Sequence, residues 1–218
     1  MLNWWLPENV TSYGQDIDWL FHLIYAITGV TFILVTVALL AFVVIYRDRP
    51  GRRARYTHGN TTLEIVWTVV PALILVVLTF LSVPAWSKIK MTMPATDVVI
   101  EVTAKQFNWQ VRYPGPDGKF GTDDDKTFLD EMHVPVGKPV RINLKSQDVI
   151  HSFFVPQFRI KQDAVPGREI GVWFDVMKPG KYECSGAELC GFGHSGMRGW
   201  VYAHSAEDYA KWMAENLK

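Results

Sequence analysis

Cysteine is scarce in this chain, with two in 218 residues, and net charge is absent, since 22 Lys and Arg offset 22 Asp and Glu. Two cysteines leave three uses for the pair: core filler, a single disulfide, or metal ligation. The charge balance removes the basic footprint that nucleic-acid binding requires and any strong overall field. No Cys-x-x-Cys-His occurs, so no covalently attached haem domain is fused to the chain. Met1 to Asp18 is polar and aromatic, with Trp4 and Trp5 early, and lacks the basic n-region of a signal peptide.

Charge is also missing locally. Trp19 to Tyr46 is almost free of it, and Ile65 to Trp86 has none. Each run exceeds the ~20 apolar residues needed to cross a bilayer. The second contains Pro71, which a transmembrane helix tolerates. Between the runs lie Arg47, Arg49, Arg52, Arg53 and Arg55, opposed only by Asp48. By the positive-inside rule this loop is cytoplasmic, so the N-terminus and everything after Trp86 face outside. Glu64 stands at the start of the second span. It reads either as an acid compensating a helix N-terminus or as an ionisable group with a role in proton uptake.

From Asp97 the pattern changes to period-2 alternation. Val98–Thr103, Trp109–Tyr113, Arg141–Leu144, Val149–Val155, Glu169–Phe174 and Trp200–Tyr202 read as short strands divided by Pro/Gly turns. The expected fold is therefore a two-helix transmembrane hairpin followed by an all-β antiparallel sandwich or barrel. Boundaries fall at 1–18 for the exported N-terminal segment, 19–90 for the hairpin, 91–204 for the β-domain and 205–218 for a C-terminal amphipathic helix capped by Ser205. The turn-rich insert 114–126 gathers Asp117, Asp123, Asp124 and Asp125. Its spacing does not match an EF-hand loop, so a solvated acidic turn is the expectation and calcium the alternative.

The chemistry concentrates near the end of the chain. Cys184, Cys190, His194 and Met197 fall within fourteen residues, broken by Gly191, Gly193 and Gly196, which put the last three on a loop. Thiolate, imidazole and thioether form a soft donor set that suits copper. A second histidine, His151, lies upstream at the end of a strand-like run. One distant His joined to a Cys/His/Met loop is how cupredoxin-type β-domains build a copper site. A disulfide needs no His or Met at these spacings, and core filler does not sit among glycines.

Several motifs carry a resemblance: LEIVWTVVP at 63–71, SQDVIHSFFVP at 146–156, KQDAVPGR at 161–168 and ELCGFGHSGMRG at 188–199. The chain resembles subunit II of the haem-copper oxidases, the cytochrome c oxidase type, from about Trp19 to His204. That resemblance implies an extracytoplasmic cupredoxin domain with a dinuclear copper centre, CuA, fed by a c-type cytochrome and discharging to haem in subunit I. It implies His151, Cys190, His194 and Met197 as copper ligands. Glu188 would join them through its backbone carbonyl and give its carboxylate to a magnesium shared with subunit I. Glu64 would sit near the mouth of a proton path, and Asp148 and Asp163 would belong to an acidic surface that docks the cytochrome. The expected setting is the inner membrane of a bacterial-type cell, among membrane lipid and the other oxidase subunits, with no nucleic acid.

Two positions depart from the family pattern. Its first cysteine falls here on Gly186, and Cys184 lies two residues early, an offset of about 6.6 Å along a strand. Phe107 stands where many members have the tryptophan implicated in accepting electrons, with Trp109 close by. Three site readings follow. Cys184 substitutes and bridges two coppers, which is the expectation here. A single copper is held by His151, Cys190, His194 and Met197, the blue-copper pattern. Copper is absent, and the subunit is structural in a quinol oxidase or nitric oxide reductase.

Overall fold

The computed structural model describes residues 6–53 and 56–217, so Trp4, Trp5 and Arg55 lie outside the described residues. The chain forms two compact units, Asp16–Ser87 and Met1–Gln15 with Lys88–Lys218. The first holds helices α1 (Gly14–Ile45, 32 residues) and α2 (Thr61–Trp86, 26 residues). At ~1.5 Å per residue these are about 48 and 39 Å long, and both exceed a hydrocarbon core of ~30 Å. Their side chains point outward without cover, Phe32 at 70 % and Phe80 at 75 % exposure. Helices apolar on every face need lipid or partner helices around them. Asn60 caps α2, its side chain accepting the Leu63 N–H at 3.1 Å, and Pro71 and Pro84 lie inside the helix.

The second unit is a sandwich of two five-stranded sheets. One runs β3 (Lys126–Leu129), β2 (Asn108–Tyr113), β1 (Val99–Lys105), β5 (Pro139–Ser146), β8 (Ile170–Asp175). The other runs β4 (Glu131–Pro135), β10 (Arg198–His204), β9 (Gly180–Gly186), β6 (His151–Val155), β7 (Ile160–Ala164). Alternation along the strands sends Ile100, Val102, Val140, Ile142, Leu144 and Val201 into the space between the sheets, where none is exposed. The expected sandwich is there, but it is not purely antiparallel. β1 pairs with β5 and β4 with β10 in parallel, because each pair is joined by a long crossover and not by a hairpin.

The segment before α1 belongs to this unit. Val10 donates its N–H to the Gln157 carbonyl at 3.2 Å and accepts from Met177 at 2.7 Å. Tyr13 is fully buried, its ring 5.2 Å from Trp173 in an edge contact. The N-terminal segment therefore packs with the β-domain as part of the same unit.

Helix α3 (Ala206–Asn216) begins at Ser205, whose hydroxyl accepts the Asp208 N–H at 3.1 Å. It is fastened by Trp212, stacked on His133 with centroids 4.3 Å apart. His133 Nδ1 and His204 Nε2 share a hydrogen bond at 2.8 Å. Burial, helped by His204, lowers the His133 pKa from 6.5 to about 4. The folded state thus favours the neutral ring, and between those values the unfolded chain binds more protons. Stability from this contact is complete above pH 6.5 and declines as pH falls toward 4. The melting temperature of the detergent-solubilised chain should drop across that window, and His133→Phe should flatten the drop. An equally steep decline in the variant would contradict this assignment.

Candidate metal centre

Three connections meet at one end of the sandwich: the β1–β2 turn, the β5–β6 turn and the loop from β9 to β10. His151 opens β6 and has no exposed surface. Its Nε2 donates to Asp148 Oδ1 at 2.7 Å, since an ionised carboxylate only accepts. That bond fixes the tautomer and leaves Nδ1 a bare lone pair, buried and without a partner. Unpaired buried polar atoms are costly and uncommon, so this nitrogen has the chemistry of a ligand atom awaiting a cation. Asp148 also accepts the N–H groups of Gln106 and Val149, each at 2.7 Å. Those bonds outweigh partial burial and hold its carboxyl below the usual value.

The loop after β9 is folded on itself. His194 donates its N–H to Gly191, Gly196 to Gly193, and Met197 to His194, all near 3 Å. The result sets Cys190 Sγ 3.6 Å from His194 Nδ1 and 3.8 Å from Met197 Sδ. Bonds of ~2.0 Å to nitrogen and ~2.3 Å to sulfur in a tetrahedral site separate the donors by about 3.5 Å. The three atoms are therefore spaced as ligands of one soft ion. Cys190 and Met197 are buried, and both cysteines are free thiols, which removes the disulfide alternative. Among the described residues no three His, Cys, Asp or Glu side chains converge; Cys190 and His194 are a pair, with Met197 as third donor.

Cys184 is not brought to this cluster. It lies in mid-β9, paired with Gly199, and packs in the core with Trp109, Met132, Phe153 and Val201. Burial pushes its thiol far up, only partly offset by the Phe154 backbone. The residue facing the cluster is Gly186. A Cβ built there would stand 3.5 Å from Met197 Sδ and 3.8 Å from His194 Nδ1. The strand stays in register because Gly186 N–H bonds to the Met197 carbonyl at 3.1 Å and Ala187 N–H to Ser152 at 3.0 Å. A slip that carried Cys184 to the cluster would break both bonds and empty a core position, which is why the expected bridging role does not match its placement.

The remaining candidates are spread out. The Phe107 ring is partly exposed and lies over Gly193, while Trp109 is a core residue, edge-on to His151 at 6.3 Å and to Phe153 at 5.6 Å. Glu188 is exposed at the start of the loop, and Glu64 is exposed in the first turn of α2. Asp163 lies beside Lys90. Asp148, expected on a docking surface, turns inward to His151. In the insert, Asp117 accepts the Lys119 N–H and Asp125 that of Gly121, as acidic turns do. Gln106 escaped the sequence reading. A polar residue in a tight turn carries no periodic or ligand signal, yet its side chain donates to the Cys190 carbonyl at 2.6 Å.

Comparison with known proteins agrees along the whole chain. Residues 2–85 match the family described as "Cytochrome C oxidase subunit II, transmembrane domain", and 123–203 match "Cytochrome C oxidase subunit II, periplasmic domain". The alternative cytochrome c oxidase subunit 2 of Bradyrhizobium diazoefficiens is 30 % identical over 97 % of this chain and 84 % of its own length. Cytochrome c oxidase subunit 2 of Cereibacter sphaeroides is 33 % identical over 95 % of this chain and 78 % of its own. The crystal structure of the periplasmic domain of cytochrome oxidase subunit II from Bradyrhizobium japonicum superposes with a TM-score of 0.51. It is 33 % identical and covers 57 % of this chain and 96 % of that one. With both halves matched and relatives similar end to end, this chain belongs to the cytochrome c oxidase subunit II family, subunits of haem-copper terminal oxidase complexes.

Proposed function

We propose that this chain is the electron-accepting subunit of its oxidase and that it holds one copper ion, through His151, Cys190, His194 and Met197. The observation that carries this is that His194 Nδ1 and Met197 Sδ both lie within 3.8 Å of Cys190 Sγ, with Gly186 and not Cys184 as their neighbour. The buried, unpartnered Nδ1 of His151 supplies the fourth donor type, completing a His₂Cys set with a thioether. The copper that these residues would hold would supply one-electron Cu(II)/Cu(I) chemistry between a reduced c-type cytochrome and the haem of subunit I. The chain's part is to hold the donors in a shape that suits both oxidation states and to keep water from them; His151 and Met197 are at most 1 % exposed.

Other roles follow by family likeness. The partly exposed Phe107 ring, with Trp109 behind it, is where the donor's electron arrives. Glu188, exposed on the ligand loop, is free to give its carboxylate to a magnesium shared with subunit I. The loop of arginines lies in the cytoplasm and the β-domain outside. Glu64 sits at the cytoplasmic end of α2, where Asn60 already caps the helix, so a task beyond capping is open to it in proton uptake.

The copper reading is tested by metal content and spectrum of the purified chain. Wild type should bind one copper, with the hyperfine pattern of a single nucleus. Cys184→Ser should leave copper and spectrum unchanged, and Cys190→Ser should abolish both. Loss of the signal in Cys184→Ser would restore the thiolate-bridged pair, and a wild-type chain that takes up no copper would favour a structural subunit.

For Glu64, replacement by Ala should slow oxygen turnover of the assembled complex severalfold while copper content stays constant. Turnover unaltered across pH would leave Glu64 as a helix-terminal charge alone.

A further inference from the structure

Gln106 occupies the β1–β2 turn, a segment that contributes no metal donor, yet it bonds the partner of one proposed ligand and the backbone of another. Its backbone N–H donates to Asp148 Oδ2 at 2.7 Å, and the other oxygen of that carboxylate takes the His151 Nε2–H at 2.7 Å. Its side-chain Nε2 donates to the Cys190 carbonyl at 2.6 Å. A continuous set of hydrogen bonds therefore runs from the imidazole of His151 to the backbone of Cys190 through Asp148 and Gln106.

The ligand loop is shaped to admit this residue. Gly191 has φ +136°, a conformation that side chains rarely adopt, and a Cβ built there would meet Gln106 Nε2 at 2.7 Å. A Cβ on Gly193 would meet the neighbouring Phe107 ring at 2.5 Å. Both glycines are needed because the Gln106-Phe107 turn lies against the loop at backbone distance. The loop's own bonds close three small turns, and its backbone bond to the strand that bears His151, from Ala187 N–H to the Ser152 carbonyl at 3.0 Å, lies at the loop's first residue, ahead of Cys190 and His194.

We propose that Gln106 is a positioning residue for the metal centre, tying the His151 segment and the Cys190 loop into one frame before metal binds. The proposal rests on the reading of His151 and Cys190 as ligands. A ligand set preformed in this way resists rearrangement when the metal changes charge, and hydrogen-bond partners behind the ligands tune both affinity and electronics. Only the side-chain half depends on residue type, since every residue other than proline supplies the backbone N–H.

The test is Gln106→Met in the full-length chain, a change that keeps side-chain length and removes the donor. In the metal-free chain, amide hydrogen exchange at 191–197 should quicken roughly five-fold, the factor that corresponds to one lost neutral hydrogen bond. In the copper-loaded chain, release of copper to a chelator should quicken by a similar factor, and the hyperfine splitting should shift. Asp148→Asn, which weakens the other half of the frame, should shift the same signature. Unchanged exchange together with unchanged release and splitting in Gln106→Met would overturn the proposal. A wild-type chain that binds no copper would instead refute the ligand assignment, and exchange in the metal-free chain would still decide whether Gln106 holds the loop.

Discussion

Gly186 gives its N–H to the Met197 carbonyl at 3.1 Å, and this bond closes the base of the ligand loop. It is the last rung where β9 meets the chain returning into β10, and the rungs below it pair Cys184 with Gly199 and Tyr182 with Val201. Because side chains alternate along a strand, that register decides which residue of β9 looks into the loop. It sends Cys184 into the sandwich core and leaves the position beside Met197 and His194 without a side chain. In the proposed centre the number of thiolates is thus set by sheet pairing, at a distance from any metal chemistry.

The same economy governs the histidine side. A carboxylate on Asp148 settles which nitrogen of His151 carries the proton, and the Trp109 ring packs edge-on against the buried imidazole. The cost of an unpartnered buried nitrogen is accepted at His151 Nδ1, and such exceptions in native cores call for a functional cause. The proposed donors come from β6 and from a glycine-broken loop, so a strand carries one side of the site while the other is a loop to which the Gln106 side chain bonds.

How much of this was legible depended on the range of the interaction. Long uncharged runs announced both helices, because crossing a bilayer constrains composition residue by residue. Ser205 announced α3 for an equally local reason. Alternation announced six strands of the sandwich, but β3, β4, β7 and β9 were not foreseen. β9 is interrupted by a cysteine, a serine and a glycine, and β3, β4 and β7 have charged or polar positions that blur the period. The parallel pairings escaped as well, since partners far apart in sequence leave no local trace. At the proposed centre, His151, Cys190, His194 and Met197 are singled out by residue type and spacing alone. The fate of Cys184 could not be read locally: an offset of two residues keeps the same strand face, and only the pairing of β9 with β10 shows that the strand does not slip.

Membership in the subunit II family and a one-copper centre are compatible only if the missing thiolate at Gly186 is the decisive difference. The direct measurement is copper stoichiometry in Gly186→Cys. A Cβ at this position meets nothing nearer than 3.5 Å, an ordinary van der Waals contact, so the backbone here admits a side chain. The variant should bind two coppers per chain and, when oxidised, share one unpaired electron between them, where the wild type binds one. A variant that still binds a single copper, or a wild type that already binds two, would contradict the claim that the register of β9 sets the nuclearity of the site.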